Sequence, residues 1–262
     1  MLTVGSLFSG IGGLELGLER AGMKCLWQVE IDTYCQKVLR KHWPEADLHS
    51  DIRECGAANL VPVDLICGGF PCQPHSLAGK RKASEDERDL WGEFARIVRE
   101  LRPRWVLAEN VPGLLSSESG RFFGRVLRDL AALGYCVEWE SIPAAAVGAP
   151  HRRDRVFIVA DAIRPECESR AGRRGVWEGD SQQREMANAE GTGQSLCFMG
   201  SREVKLGRSS GGNESWWAVE PDVGRVAHGV PSRVDRLRCL GNAVVPQVAE
   251  WIGRKIIDFD RA

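Results

Sequence analysis

The run Leu2-Thr3-Val4-Gly5-Ser6-Leu7-Phe8-Ser9-Gly10-Ile11-Gly12-Gly13-Leu14-Glu15-Leu16-Gly17-Leu18-Glu19-Arg20 sets the architecture of the chain. Its first seven residues are an apolar stretch of buried-strand type, Ser9 to Gly13 is a glycine turn, and Leu14 to Arg20 opens an amphipathic helix. Strand, glycine turn and helix in this order begin the nucleotide-binding α/β folds. Glycines let the backbone approach a ligand, and the helix amino terminus adds free N–H groups and a favourable dipole. An ordinary tight turn between strand and helix has the same look, and a lone Gly-x-Gly does not separate the two.

Outward from this unit, a second strand at Cys25 to Val29 ends in Glu30. That acid stands about 20 residues after the first glycine, where nucleotide folds place an acceptor for a ribose hydroxyl. Glu30 is therefore the expected ribose ligand, and Asp32 the expected cap of a helix from Thr33 to Lys41. Asp51-Ile52 follows a short segment, Asp47 to Ser50; an Asp in that place is ordinarily a turn residue. Next come Asp64-Leu65-Ile66-Cys67, again of buried-strand type, and then Gly68-Gly69-Phe70-Pro71-Cys72-Gln73-Pro74-His75-Ser76. Two glycines and two prolines forbid the strand from continuing through Cys72, which is thus presented at a strand's carboxyl end. Most intracellular cysteines are small core hydrophobes, but flanking prolines argue against core filling. A thiolate is a strong nucleophile even when a few per cent ionised, so a Cys on such a turn can begin covalent catalysis.

Leu77 to Asp89 is polar and aperiodic, and reads as a long loop in which Lys80-Arg81-Lys82 suits phosphate contact or is a solvated charge run. A helix follows from about Leu90 to Leu101, then a strand, Arg104 to Ala108, that delivers Glu109-Asn110-Val111-Pro112 to the same sheet edge as Cys72. A second helix, Gly120 to Leu133, sets Phe122, Phe123, Val126, Leu127 and Leu130 on one core-facing side, and a strand begins at Gly134. Arg152, Arg153 and Arg155 lead into the apolar strand Val156 to Ala160. From Ala162 to Ser215 glycines are frequent and large apolar residues sparse, so no independent core is expected there. Leu240-Gly241-Asn242-Ala243-Val244-Val245-Pro246 opens a closing helix through Ile257.

With 262 residues and 43% apolar content, the chain can build one large domain or a domain with an appendage. A formal net charge of −1 gives no global attraction to nucleic acid, so a binding face must come from local arginines. Between Arg152 and Arg174 seven arginines stand against four acids. Nine cysteines without a Cys-x-x-Cys pair suggest neither a zinc site nor a disulfide framework and fit a reducing cytosol. A basic leader and a transmembrane-length apolar run are both missing from the sequence, so neither secretion nor membrane insertion is expected.

Pro71-Cys72-Gln73-Pro74 after Gly-Gly-Phe resembles the catalytic signature of the S-adenosylmethionine-dependent cytosine-C5 DNA methyltransferases, of the small phage or bacterial type. Four further stretches resemble that family's motifs in its order: Phe8-Ser9-Gly10-Ile11-Gly12-Gly13, Glu109-Asn110-Val111, Arg153-Asp154-Arg155 within Pro150 to Arg155, and Gly241-Asn242-Ala243-Val244-Val245-Pro246. His75 and His151 depart from the family, which has Phe and Gln there.

The resemblance implies a Rossmann-like three-layer α/β sandwich, its mostly parallel seven-stranded sheet carrying one antiparallel strand. It also implies a discontinuous catalytic and cofactor domain, residues 1–160 and 235–262, with a small irregular target-recognition region at 161–234, whose glycine-rich, core-poor composition suggests that it gains order on DNA. Carried over residue by residue, Cys72 attacks C6 of a flipped-out cytosine, Glu109 holds the base's N3 and amino group, Arg155 holds O2, and Arg153 supports the catalytic site. S-adenosylmethionine would lie against Phe8, Ser9, Gly10, Ile11, Gly12, Gly13, Glu30, Ile31, Asp51, Ile52, Pro71, Asn242 and Ala243. DNA contacts would fall to Gln73, Ser76, Lys80 and Arg81. No metal is expected; the implied partners are double-stranded DNA and a cognate restriction endonuclease, and the chain would act as a monomer. An RNA cytosine methyltransferase sharing the site, or an inactive DNA-binding relative, are the alternatives.

Overall fold

The computed structural model describes residues 1–71, 90–162 and 232–261. Cys72, Gln73, Ser76, Lys80 and Arg81, and all but the ends of the stretch 161–234 expected to recognise the target, lie outside the described residues.

Seven strands are present in chain order: β1 (Thr3–Leu7), β2 (Lys24–Val29), β3 (Asp47–His49), β4 (Leu65–Gly69), β5 (Trp105–Asn110), β6 (Tyr135–Ile142) and β7 (Arg155–Ala162). They form a single sheet in the order β3-β2-β1-β4-β5-β7-β6. All pairings are parallel except those of β7, which runs antiparallel to both β5 and β6. The single antiparallel strand is the one the motif resemblance implies.

The central strands read as continuous apolar runs because both sheet faces are covered. Along β4, Leu65 and Cys67 point into one core and Ile66 into the other; along β5, Trp105 and Leu107 alternate with Val106 and Ala108 in the same way. One face is filled by Trp91, Phe94 and Val98 of α3 (Trp91–Leu101) with Val126 and Leu130 of α4 (Arg121–Ala132). On the opposite face Leu14 and Leu18 of α1 (Gly13–Arg20) meet Val248, Ile252 and Ile256 of the last helix. The first and last helices therefore pack side by side, and the end of the chain completes the core that its beginning starts.

Helix α2 (Thr33–His42) is capped as anticipated: the Asp32 carboxylate accepts from the backbone N–H groups of Tyr34 at 2.9 Å and Cys35 at 3.0 Å. The chain's close differs from the sequence reading. A helix α5 (Arg233–Asn242) precedes Pro246, and the closing helix α6 runs Pro246–Arg261 rather than ending at Ile257. Proline occupies the first turn of α6, where its missing N–H costs nothing. Asp161 and Ala162 belong to β7, and Arg233 and Val234 to α5, so the outer residues of the 161–234 stretch are part of the main fold. Among the described residues no helix is long and apolar enough to cross a membrane.

Candidate active site

The strand order reverses beside β1: β2 and β3 lie on one side of it, β4 and β5 on the other. In open α/β sheets the crevice at the strands' carboxyl ends, where the order reverses, is the ligand site. A cleft of about 430 Å³ opens here. It is lined by Phe8, Ser9, Gly10 and Gly13 after β1, Glu30 and Ile31 after β2, Asp51 and Ile52 after β3, and Phe70 and Pro71 after β4. Glu109 and Asn110 of β5, Arg155 of β7, and Asn242 and Ala243 from the far end of the chain complete it.

On the glycine side, the turn is built for close approach. Gly10 has φ of +57° and Gly12, the N-cap of α1, φ of +85°, conformations that side chains resist. A Cβ on Gly13 would lie 2.5 Å from the Val244 carbonyl oxygen, so only glycine lets the α5–α6 junction close against the loop. Glu30 ties these pieces together: its carboxylate accepts from Gly10 N–H at 2.7 Å and from Asp32 N–H at 2.7 Å. Burial pushes the Glu30 carboxyl above the usual carboxylate range, against the backbone donors of Asp32, Gly10 and Ile31 that pull it down. With backbone bonds to Asp32, Gly10 and Ile31, the carboxylate still has a lone pair left for a ligand hydroxyl. Asp51 caps the short 3₁₀ turn Ile52–Glu54 by accepting from Arg53 N–H at 2.9 Å, so its turn role and its place in the cleft coexist.

On the β5 side a carboxylate is held in a dry place. Glu109 is 6% exposed. Its Oε1 pairs with Arg155 Nε at 2.9 Å, and a Cβ on Gly69 would fall 2.8 Å from its Oε2, so glycine on β4 makes room for it. Burial lifts the Glu109 carboxyl to about 7, opposed by the nearby Arg155 and Arg153 guanidinium groups. Near neutrality such a group can either give or accept a proton. Asn110 completes the corner: its Nδ2 donates to the Phe70 carbonyl at 2.9 Å, and its Oδ1 accepts from Val111 N–H at 2.8 Å. The backbone leading into Pro71 and Cys72 is thereby anchored to β5.

Ile11, Gly12 and Arg153 do not line the cleft. Gly12 is spent on turning into α1. Arg153 turns toward the chain's end, where its Nη2 donates to the carbonyls of Gly241 at 2.6 Å and Ala243 at 2.5 Å. From there it fixes the α5–α6 junction and influences Glu109 only through its field. The sequence reading missed Asn110, Arg238 and Cys239. Asn110 directly follows Glu109 and could have been suspected; α5 carries too little apolar periodicity to announce itself.

A family model described as C-5 cytosine-specific DNA methylase matches residues 2–188. M.Eco47II, a type II methyltransferase of Escherichia coli, is 41% identical over 165 residues, 60% of this chain and 39% of its own length. M.DsaV, a type II methyltransferase of Dactylococcopsis salina, is 38% identical over 154 residues, 58% of this chain and 44% of its own. The chain thus spans less than half the length of these two relatives. Among solved structures, a prophage-encoded E. coli protein described as a DNA modification methyltransferase superposes with a TM-score of 0.53 at 31% identity, covering 62% of this chain and 47% of that one.

Proposed function

The chain belongs to the C-5 cytosine-specific DNA methylase family, and from that premise we propose that it methylates C5 of cytosine within a short sequence of double-stranded DNA. The observation that carries this reading is the buried Glu109–Arg155 pair, set in the same cleft as the Gly10 loop and Glu30. One half of the cleft suits a nucleoside, the other an electron-deficient ring.

The cleft fits S-adenosylmethionine: glycines leave its floor open, Glu30 offers lone pairs at the ribose position, and Asn242 and Ala243 form a wall. When bound there, the cofactor supplies the methyl group. Cytosine C5 is a weak nucleophile. Cys72, next after Pro71 in the chain, adds its sulfur to C6, and the ring's electrons move so that C5 becomes nucleophilic. Glu109 supplies a proton or hydrogen bond at N3, and Arg155 steadies O2, so both offset the charge that develops on the ring. After methylation a base takes the C5 proton, the C5–C6 double bond returns and the C6–S bond breaks. Because C6 is out of reach in a duplex, the base must leave the stack.

On this reading the protein acts as a monomer in the cytosol of a bacterium or phage-infected cell, with or without a cognate restriction endonuclease. The test is covalent trapping on duplex DNA containing 5-fluorocytosine, where fluorine at C5 blocks proton removal. A stable adduct through Cys72 that Cys72→Ser abolishes is expected. Methyl transfer by Cys72→Ser at the wild-type rate overturns the reading, and transfer to RNA but not to duplex DNA replaces it with the RNA alternative.

A further inference from the structure

Cys35 and Cys239 come from opposite ends of the chain and meet at the cleft. Cys35 lies in the first turn of α2, Cys239 in α5, and their Sγ atoms are 3.2 Å apart. Both side chains are buried in the described structure yet line the cleft, so a small reagent reaches them through it. Beside them Arg238 of α5 pairs with Asp32, the cap of α2, and holds the two helices in register. The Asp32 carboxylate lies within 4.8 Å of both sulfurs. It is already committed to two backbone amides and to Arg238, which leaves two sulfurs facing each other rather than a three-donor metal set. The methyl-transfer chemistry proposed above uses neither sulfur.

We propose that Cys35 and Cys239 are a redox-active dithiol, which a peroxide-class oxidant converts to a disulfide that ties α2 to α5 across the cleft. One thiol, as thiolate, attacks a peroxide oxygen, breaking the O–O bond and releasing the other oxygen as water; the second sulfur then attacks the sulfur of the sulfenic acid formed and displaces its hydroxide, which leaves as a second water. The S–S bond forms, the two thiols lose two electrons and two protons, and hydrogen peroxide is reduced to two waters. The sulfurs need close by only about 1 Å to reach bonding distance, which asks for little movement of either helix. Burial, reinforced by the Cys239 contact and the Glu30 charge, pushes the Cys35 thiol up, so the attacking thiolate is scarce and the pair stays a dithiol until oxidant is abundant. Because α5 ends at Asn242 and leads directly into Ala243 and Val244, the bond would fasten the wall of the cleft.

The full chain carrying Cys72→Ser, which removes the proposed nucleophile as a competing thiol, is treated with hydrogen peroxide. Residual thiols are then alkylated and the protein is digested without reductant. A Cys35–Cys239 linked peptide is expected, lost on adding dithiothreitol and absent in both Cys35→Ser and Cys239→Ser. The melting temperature should rise by about 5 °C or more on oxidation, since a cross-link over so long a loop restrains the unfolded chain. Release of S-adenosylhomocysteine should slow about tenfold. Recovery of Cys35 and Cys239 singly alkylated, over-oxidised or linked to other cysteines overturns the proposal. The peptide map needs neither cofactor nor DNA, so its outcome is independent of the methyl-transfer reading.

Discussion

The Asn110 side chain donates to the Phe70 carbonyl at 2.9 Å, so the last residue of β5 holds the backbone just beyond the end of β4. That bond fixes where the chain departs toward Cys72. Asn110→Ala removes it together with the acceptor for Val111 N–H, and leaves a buried carbonyl unpaired at a cost of about 1–3 kcal/mol. Single-turnover methyl transfer should fall about 10- to 100-fold while cofactor affinity stays put. Unchanged turnover would show that the Phe70 backbone needs no such anchor.

Glu109 should impose a pH limit on the chemistry. Its carboxyl is raised to about 7 by burial, so the protonated form able to donate at N3 is lost as pH rises through that value. The free enzyme's rate of methyl transfer under limiting DNA should therefore decline above about pH 7. Glu109→Gln should be slow and lack this limb; a wild-type profile flat from pH 6 to 9 would contradict the role.

Gly13→Ala tests the closure of the chain's end on its beginning. The added methyl meets the Val244 carbonyl oxygen at 2.5 Å, a backbone atom that cannot swing aside. Overpacking of this kind costs about 1–3 kcal/mol. A lower melting temperature and weaker S-adenosylmethionine binding by calorimetry are expected together. Loss of stability with unaltered affinity would separate the α5–α6 junction from the pocket.

Glu15 is fully buried in the first turn of α1, and Gln28 Nε2 lies 3.5 Å from its Oε1. Burial raises its carboxyl above the usual range, with Ser6, Ser9 and Gln28 offsetting part of the shift. A folded-state value above the unfolded one means the folded form gains most where both are protonated. The stabilisation is complete below about pH 4.5 and is lost as pH rises toward the folded-state value. Glu15→Gln keeps the shape without the charge. Its melting temperature should overtake the wild type's increasingly from pH 5 to 8; a constant difference across that range would mean Glu15 is not held neutral.

The strands and their faces were legible because β4, β5 and β7 are apolar on both sides, and the glycine turn and Asp32 cap carry local signals that survive without tertiary knowledge. Glu109 and Asn110 read as residues after a strand, whereas they are its last two. A buried acid in a strand makes sense only once Arg155 stands on the neighbouring strand to pair with it. Helix α5 stayed hidden for a related reason. Cys239 is its one buried residue, and its place comes from Arg238 on Asp32 and Cys239 on Cys35, partners some two hundred positions away. Arg153 was singled out by its motif, but its hydrogen bonds to the carbonyls of Gly241 and Ala243 depend on how the chain's end folds back.

The wall formed by Cys239, Asn242, Ala243 and Val244 has a consequence for how the protein is made. A ribosome that has released β7 has delivered the seven strands of the described sheet, but not this side of the pocket nor the helix that covers α1. Until residues 233–261 emerge, the nascent chain has a glycine loop that lacks the Asn242–Val244 wall of its cleft and an apolar face on α1 awaiting Val248, Ile252 and Ile256. Cofactor capture thus waits until residues 233–261 have emerged, and the stage before that is the one at which this chain most needs shielding from aggregation.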